Sequence, residues 1–377
     1  MNSSFVEPRH RALQFIDVIR SVGFLMVLLT HCLEFTDLRD NILPQVPPVV
    51  DLFFLISGFV TGYANDDSLR QGSRTALGAI VRRAIRLLPL VFVGTLIGAL
   101  PFFARLVVWQ DTAHLVRGLV VFLKGCFLIP TSRAELGLPG LPDAFPFDVP
   151  VWFLFFDTLG FLLYLFCLRF LSVRWLIALA TLTSLGLWNL ALTRNTLNPG
   201  AWWPDLLPVA PRALFDFTFG YLLLRLPYSA RWSLSPRWGL ALAALLLAAL
   251  FAPLPATSHA SGAFQASVAT LLLPLIVVGS AHVRASSSFA AIGRLGARFS
   301  LAVYVIHFPV VDGIHDILNQ TGRHDFLGNW QALLEGLMAL LVAYLAVICF
   351  DEPIQDWLKH RSSSAAQRKA IGGLADG

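Results

Sequence analysis

The sequence predicts an all-α membrane protein, a polytopic helical bundle with about ten transmembrane helices. The chain of 377 residues is 56% apolar and only 14% charged, whereas soluble domains carry about 25% charged residues. Its mean hydropathy is +0.69. Apolar stretches of about 20 residues, long enough to cross a bilayer core, recur along the whole chain.

The predicted spans follow one another from residue 13 to residue 350 and form one membrane domain, 1–361. The first span has a basic flank, Arg9 and Arg11, and no small-residue cleavage site, which indicates a retained anchor. The ten predicted spans are 13–34, 47–65, 84–105, 150–170, 174–193, 207–226, 238–254, 264–283, 298–318 and 330–350.

The segments outside these spans are short or irregular. The Pro- and Gly-rich stretch 106–149 predicts an external loop. Within it, the apolar run from Leu119 to Pro130 is too short to cross and predicts an interfacial or re-entrant segment, with an eleventh span as the alternative. Residues 362–377 are small and polar and predict a disordered cytoplasmic tail.

The basic residues predict the orientation of the bundle. With ten spans, most of the 28 Lys and Arg residues fall on the side that holds both termini. The positive-inside rule therefore places both termini in the cytoplasm. The net charge of +5 follows from this bias, so we expect no nucleic-acid partner.

The first span carries two ionisable side chains, Arg20 and His31, eleven residues apart. This spacing brings them within roughly 20° of one helix face and about 16 Å apart along the axis. Ionisable groups inside a membrane are costly and usually face a cavity or a partner. The pair indicates a substrate path. The alternative is an arginine that snorkels to the headgroups and a histidine that caps the outer helix end.

The second span opens with VVDLFFLISGF, which places Asp51 near the predicted depth of His31. A carboxylate beside an imidazole fixes its tautomer and raises its basicity, as a general base requires. Asp51 is therefore a candidate partner of His31. The alternative is an N-terminal helix residue at the membrane interface.

The third span is entered through VRRAIRLLPL, where Arg82, Arg83 and Arg86 gather on one side of a helix start. Basic residues here satisfy the positive-inside rule without any further role. Their density beside Arg20 points further, because arginine forks suit phosphates. The pattern favours a cytosolic donor that carries phosphate.

The ninth span contains FSLAVYVIHFP, which places Ser300, Tyr304 and His307 on one helix face. Such residues line a channel in some membrane proteins and form hydrogen bonds between helices in others. The spacing alone is compatible with both. The four cysteines are scattered through apolar segments without metal or disulfide spacing, and we interpret them as packing residues.

The order of these segments resembles the acyltransferase 3 family, integral membrane enzymes that O-acylate glycans and other exported molecules. The resemblance covers nearly all of residues 11 to 360. It rests on five motifs in order: the Arg-x10-His pair Arg20 and His31, the sequence VDLFFLISGF, the Arg-x-x-Arg pair Arg83 and Arg86, the run Ser300, Tyr304, His307 and Pro309, and the acidic-Pro element in FDEPIQDWLKH.

One segment departs from the family pattern. Where relatives commonly show Trp-Ser-Leu-x-x-Glu, this chain has VPVWFLFFDTLG. Trp152 matches, Phe153 replaces the serine, and Asp157 replaces the glutamate. The shorter carboxylate of Asp157 retains the capacity to pair with a cation.

The resemblance implies a multi-pass enzyme of the bacterial inner membrane, an O-acyltransferase and most simply an O-acetyltransferase. Its donor substrate is acetyl-CoA or another acyl-CoA, without a metal, and its acceptor is a carbohydrate, a glycolipid or another exported molecule. His31 is then a general base or a covalent acyl carrier. The remaining site candidates are Arg20 and Asp51 beside His31, then Arg83, Arg86, Ser300, Tyr304 and His307 toward the donor, and finally Asp157 and Trp152.

Two other functions are compatible with the residues. In a secondary transporter, the stripe of Arg20 and His31 serves as a proton or anion pathway, although the paired half-chain symmetry typical of transporters is not evident. A lipid-linked glycosyltransferase usually has acidic residues in an external loop, for which Asp143 and Asp148 are the candidates.

Overall fold

The computed structural model describes residues 7–34, 42–109, 111–137, 143–226, 233–321 and 330–358. Within these ranges the regular structure is helical, and pairing between extended segments is limited to two isolated bridges, Asp143–Trp202 and Leu234–Val283. The prediction of a polytopic all-α bundle is confirmed. The tail 362–377 lies outside the described residues.

The longer helices follow the apolar runs of the sequence. Several begin at residues that suit a helix start, such as Pro48 and Pro236. In chain order they are α1 Glu7–Leu33, α2 Pro48–Arg70, α3 Ala76–Trp109, α4 Thr112–Cys126, α5 Val151–Phe170, α6 Val173–Arg194, α7 Leu206–Arg225, α8 Pro236–Leu250, α9 His259–His282, α10 Ser287–Gln320 and α11 Trp330–Leu358.

Nine of these helices in the described part of the chain are long and apolar enough to cross a membrane, all except α4 and α8. One of the ten predicted spans, 238–254, is not among these nine helices. There the structure has α8, a helix of 15 residues, which at about 22 Å is shorter than the ~30 Å bilayer core. Pro253 and Pro255 lie directly beyond its end, and proline interrupts the hydrogen bonding of a helix.

The run 119–130, predicted as an interfacial or re-entrant segment, lies largely in helix α4. The helix begins after Asp111, whose side chain accepts a hydrogen bond from the backbone amide of His114 at 3.2 Å. With 15 residues it is too short to cross. It packs against α3, where the ring of Phe122 lies 5.8 Å from that of Phe92.

Helices α2 and α7 approach each other through two glycines. A Cβ atom at Gly58 would lie 2.0 Å from the carbonyl oxygen of Phe217, and one at Gly220 would lie 2.0 Å from that of Leu55. Small residues allow membrane helices to pack with their backbones this close. This contact sets the distance between the two helices that carry Asp51 and Arg212.

Two helices widen locally before a proline. π-helical turns occur at Val268–Leu272 in α9 and at Val347–Asp351 in α11, and each ends two residues before a proline, Pro274 or Pro353. Proline lacks an amide proton and clashes with the preceding turn, so a wider turn accommodates it without breaking the helix.

A buried amide pair joins the connections before α2, after α6 and after α8. Gln265 donates from Nε2 to Oε1 of Gln45 at 2.9 Å, and Gln45 donates from Nε2 to the Leu254 carbonyl at 3.0 Å. The amide of Leu197 donates to Oε1 of Gln265 at 2.6 Å. These bonds satisfy polar groups that would otherwise be buried without partners.

Candidate active site

Helix α1 carries Arg20 and His31 near opposite ends of the candidate site. Arg20 forms an ion pair with Asp17 one turn earlier, at 2.9 Å. Nδ1 of His31 lies 2.7 Å from Oε2 of Glu34. We call the end of the bundle near Arg20 the arginine end and the end near His31 the histidine end.

Glu34 determines which nitrogen of His31 is available as a base. A carboxylate only accepts hydrogen bonds, so Nδ1 of His31 is the donor in this contact. In the neutral imidazole Nε2 is then unprotonated and able to accept a proton. The carboxylate beside His31 was expected from the second span, but it comes from the end of α1 itself.

Asp51 does not contact His31, which corrects the expectation from the sequence. Arg212 of α7 forms a bidentate pair with its carboxylate, at 2.7 Å from Nε to Oδ1 and 2.6 Å from Nη2 to Oδ2. The remaining donors of Arg212 reach the carbonyl oxygens of Leu197, Pro199 and Pro47. Both side chains are fully buried. The partner of Asp51 is therefore the guanidinium of Arg212, on the helix that packs against α2.

His307 of α10 lies beside His31, with ring centroids 5.1 Å apart. Its Nδ1 lies 2.9 Å from the carbonyl oxygen of Val303, and because a carbonyl only accepts, Nδ1 donates. Nε2 is buried and has no hydrogen-bond partner among the described residues. Helices α1 and α10 thus place two imidazole rings side by side at the histidine end.

Four aromatic rings from four helices lie between the histidines and the arginine end. They belong to Phe24, Phe53, Phe153 and Tyr304, which we call the aromatic quartet. Phe24 and Phe53 stack with centroids 4.5 Å apart, and Phe153 meets Tyr304 edge-on at 5.4 Å. Tyr304 also lies 5.9 Å from the ring of His307.

A cavity of about 280 Å³ extends from the aromatic quartet to the arginine end. All four quartet residues line it, whereas His31 and His307 do not. Asp157 is the one carboxylate among the residues that line it, against five arginines, so the cavity is strongly cationic. These arginines are Arg20, Arg74, Arg82, Arg83 and Arg86.

Asp157 of α5 holds Arg83 in place. It accepts a short hydrogen bond from Nη2 of Arg83 and another, of 2.5 Å, from the hydroxyl of Ser57. The guanidinium of Arg83 also lies over the ring of Phe161, 4.6 Å from its centroid. The replacement of glutamate by Asp157 therefore leaves a working ion pair at this position.

Arg82 and Arg86 differ from Arg83 in having no hydrogen bond or ion pair to another residue in the part of the chain that the structure describes. Arg74 is intermediate, because it donates to the side chain of Asn65 at 2.8 Å. Guanidinium groups that line a cavity with unused donors are suited to an anionic ligand.

The other predicted site residues separate into two groups. Ser300 lines the cavity, and Tyr304 does so while donating from its hydroxyl to the Pro150 carbonyl at 2.6 Å. His307, expected to act with them, lies one turn beyond the cavity. Trp152 is buried outside the cavity, against Gly200, where a Cβ atom would lie 2.5 Å from the indole ring.

Comparison with known proteins shows the family of the chain. A family model described as an acyltransferase domain, that of the acyltransferase 3 family, matches residues 13–350, nearly the whole chain. The chain belongs to the acyltransferase 3 family. It is therefore a multi-pass membrane protein of a family of acyltransferases. No curated protein and no solved structure gives a significant match.

Several site residues of this acyltransferase were missed in the sequence. Glu34 had a usable signal, since it follows His31 by three residues on the same helix. Arg212 lies 161 residues from Asp51 and had no local signal. Phe24 and Phe53 appear in the sequence as ordinary apolar span residues, because only the helix packing brings their rings together.

Proposed function

We propose that this protein is an O-acyltransferase of the bacterial inner membrane, most simply an O-acetyltransferase. It transfers an acyl group from a cytosolic acyl-CoA to a hydroxyl of a glycan or another exported acceptor. The observation that carries the proposal is the alignment of three features: a cavity rich in arginine, the aromatic quartet, and the histidine pair beyond it. In this proposal α8 supplies the tenth crossing, because it runs from Leu234, which pairs with Val283, to Leu250, whose carbonyl accepts a hydrogen bond from the amide of Gln45. Both termini then lie in the cytoplasm, and the arginine end meets the acyl-CoA.

The donor binds at the arginine end. Its phosphates contact Arg82 and Arg86, whose donors are free for a ligand, and Arg83, which Asp157 holds at the cavity wall. The slender pantetheine arm then follows the cavity toward Tyr304. Five arginines facing one carboxylate provide the positive potential that such an anion requires.

His31 acts on the acceptor hydroxyl. Nε2 of His31 removes the hydroxyl proton as the oxygen attacks the thioester carbonyl, the C–S bond breaks, and the proton passes to the departing CoA thiolate. Glu34 stabilises the imidazolium through Nδ1. In the covalent variant, Nε2 attacks the thioester carbonyl and the C–S bond breaks, which releases the CoA thiolate. The acceptor hydroxyl then attacks the acyl carbon, the C–N bond to the ring breaks, and the hydroxyl proton passes to the thiolate.

The proposal is tested with acetyl-labelled CoA and purified protein in lipid vesicles that contain membrane glycolipids. Label that appears on a glycolipid hydroxyl or on the peptide carrying His31 supports acyl transfer, and a His31→Ala protein is the matched control. Movement of an ion or solute across the vesicle membrane without CoA, and without label transfer, supports a transporter instead. Glycolipid that is extended by a sugar supports a glycosyltransferase.

The orientation is tested by cysteine labelling after the four native cysteines have been replaced. A cysteine at Ser132 is expected to react with an impermeant thiol reagent from the periplasmic side, and one at Ser73 is not. The opposite pattern would place the arginine end outside, where no CoA is available, and would refute acyl transfer across the membrane.

A further inference from the structure

The aromatic quartet separates the cavity from the histidines, and this has a consequence for the donor that rests on the proposed function. Phe24 lies four residues after Arg20 and seven before His31 on α1. At 1.5 Å per residue, its ring is attached about 6 Å from the level of Arg20 and about 10 Å from that of His31. The acyl group of a donor held by the arginines must therefore meet the quartet before it meets His31.

The four rings of the quartet form a packed cluster at this end of the cavity. Besides the stacked pair Phe24 and Phe53, Phe53 lies 6.0 Å from Phe153 and 6.4 Å from Tyr304, and Phe24 lies 5.9 Å from Tyr304. Each ring thus contacts at least two others. A larger group needs a larger displacement of packed rings, and displacement in a close-packed interior is costly.

The surface that the quartet presents is almost entirely hydrocarbon. Its one polar atom, the hydroxyl of Tyr304, already donates to the Pro150 carbonyl. A carboxylate pressed against these rings would lose hydration without gaining a hydrogen bond from them, which is unfavourable. The quartet therefore disfavours anionic acyl groups as well as long ones.

Phe153 is the member best placed to set the size limit. Phe24 and Phe53 support each other by stacking, and the hydroxyl of Tyr304 is tethered by a hydrogen bond. The ring of Phe153 packs against other rings, at 4.4 Å from Phe54, 5.4 Å from Tyr304 and 6.0 Å from Phe53. Its side chain lies at the start of α5, so its removal opens space without breaking a polar contact.

We infer that the aromatic quartet selects the donor by acyl size and charge: short, uncharged acyl-CoA such as acetyl-CoA is accepted, longer or anionic acyl-CoA is rejected, and Phe153 is the specificity-determining residue. One extra or missing methylene in an apolar pocket changes selectivity by about 10–200-fold. An effect of this size is measurable by binding alone, without a known acceptor.

The experiment measures the dissociation constants of CoA, acetyl-CoA, butyryl-CoA, hexanoyl-CoA and malonyl-CoA by calorimetry on the full-length protein in lipid nanodiscs. The wild type is expected to bind acetyl-CoA at least about tenfold more tightly than hexanoyl-CoA or malonyl-CoA. Phe153→Ala is expected to bring hexanoyl-CoA to within about threefold of acetyl-CoA while malonyl-CoA stays weak. CoA without an acyl group is expected to bind all variants equally.

Phe155→Ala is the matched control. Phe155 lies on the same helix but contacts Phe145 and Phe156 instead of the cavity, so its loss removes the same volume and should leave the wild-type selectivity. If Phe153→Ala does not fold, as judged by size-exclusion chromatography, Phe153→Val and Phe24→Ala take its place with the same expectation.

The outcomes separate the inference from the proposed function. Equal affinity of the wild type for acetyl-CoA and hexanoyl-CoA would overturn the inference, as would wild-type selectivity in the folded Phe153 variant. In either case, binding of CoA itself would leave the proposed donor intact. Failure of the wild type to bind any form of CoA would overturn the proposed function and, with it, the inference.

Discussion

Two arginine–aspartate pairs in this bundle, Arg212–Asp51 and Arg83–Asp157, combine the same side chains in different surroundings. Arg212 is fully enclosed, and its five N–H donors make five hydrogen bonds. Arg83 is 22% exposed and borders the cavity, and its Nε has no hydrogen-bond partner among the described residues. The first pair joins helices and loops, whereas the second borders a binding space.

The comparison shows that an ionisable residue in a membrane span is not in itself a sign of catalysis. Both pairs satisfy the rule that intramembrane charges find partners. What distinguishes them is whether hydrogen-bonding capacity and space remain after pairing. By that criterion the arginine end is available to a ligand and the Arg212–Asp51 pair is structural.

The largest expected effect comes from breaking the enclosed pair. Arg212→Gln leaves the Asp51 carboxylate buried without its cation, and removing one partner of a buried pair costs about 3–5 kcal/mol. Thermal unfolding in nanodiscs should therefore show a strongly lowered midpoint. The Asp51→Asn/Arg212→Gln double variant should recover part of the loss. A wild-type midpoint for Arg212→Gln would contradict the structural role.

The next effect is the loss of chemistry at the histidine end. His31→Ala should reduce acyl transfer by about 10²–10⁴-fold while the midpoint of thermal unfolding stays near that of the wild type, because His31 is partly exposed. The rate of label transfer from acetyl-CoA measures the loss of activity. Retention of more than a few per cent of the activity would assign the base elsewhere, and His307 would be examined next.

Glu34 tests whether His31 needs its carboxylate. Glu34→Ala should lower kcat by about tenfold or more, since Nδ1 then loses the acceptor that fixes the tautomer and stabilises the imidazolium. Glu34→Gln keeps an acceptor without the charge and should lie between Ala and wild type. The KM for acetyl-CoA should not change in either. A raised donor KM with unchanged kcat would exclude the positioning role.

The smallest effects are expected from conservative changes at the arginine end. Arg83→Lys and Arg86→Lys should each raise the donor KM several-fold, because lysine lacks the planar fork, and should leave the acceptor KM unchanged. Arg174→Lys is the control, since Arg174 lies at the start of α6 outside the cavity. Unchanged donor KM in both variants would reduce Arg83 and Arg86 to determinants of topology.

The sequence was sufficient for the helices and for the arginine end of the site. Long apolar runs predict membrane spans directly. The exception is α8, which ends before its apolar run does because prolines follow. Arg20, Arg83, Arg86, Ser300 and Tyr304 all line one cavity.

Partner choice could not be predicted, since it depends on which helix faces which. Asp51 was assigned to His31 from depth alone, but α2 packs against α7, and Arg212 takes the carboxylate. His307 was grouped with Ser300 and Tyr304 because they share a helix face. One further turn of α10 places it beyond the quartet, beside His31.

The paired glycine contacts of α2 and α7 also limit how this bundle can move. The Phe217 carbonyl occupies the place of a side chain at Gly58, and the Leu55 carbonyl does the same at Gly220. Because the two contacts point in opposite directions across the interface, a slide or a rotation of one helix drives backbone into backbone. The two contacts therefore oppose sliding or rotation of α2 against α7. Widening of the cavity then means separating this pair from α1, α3, α5 or α10, which line its other walls.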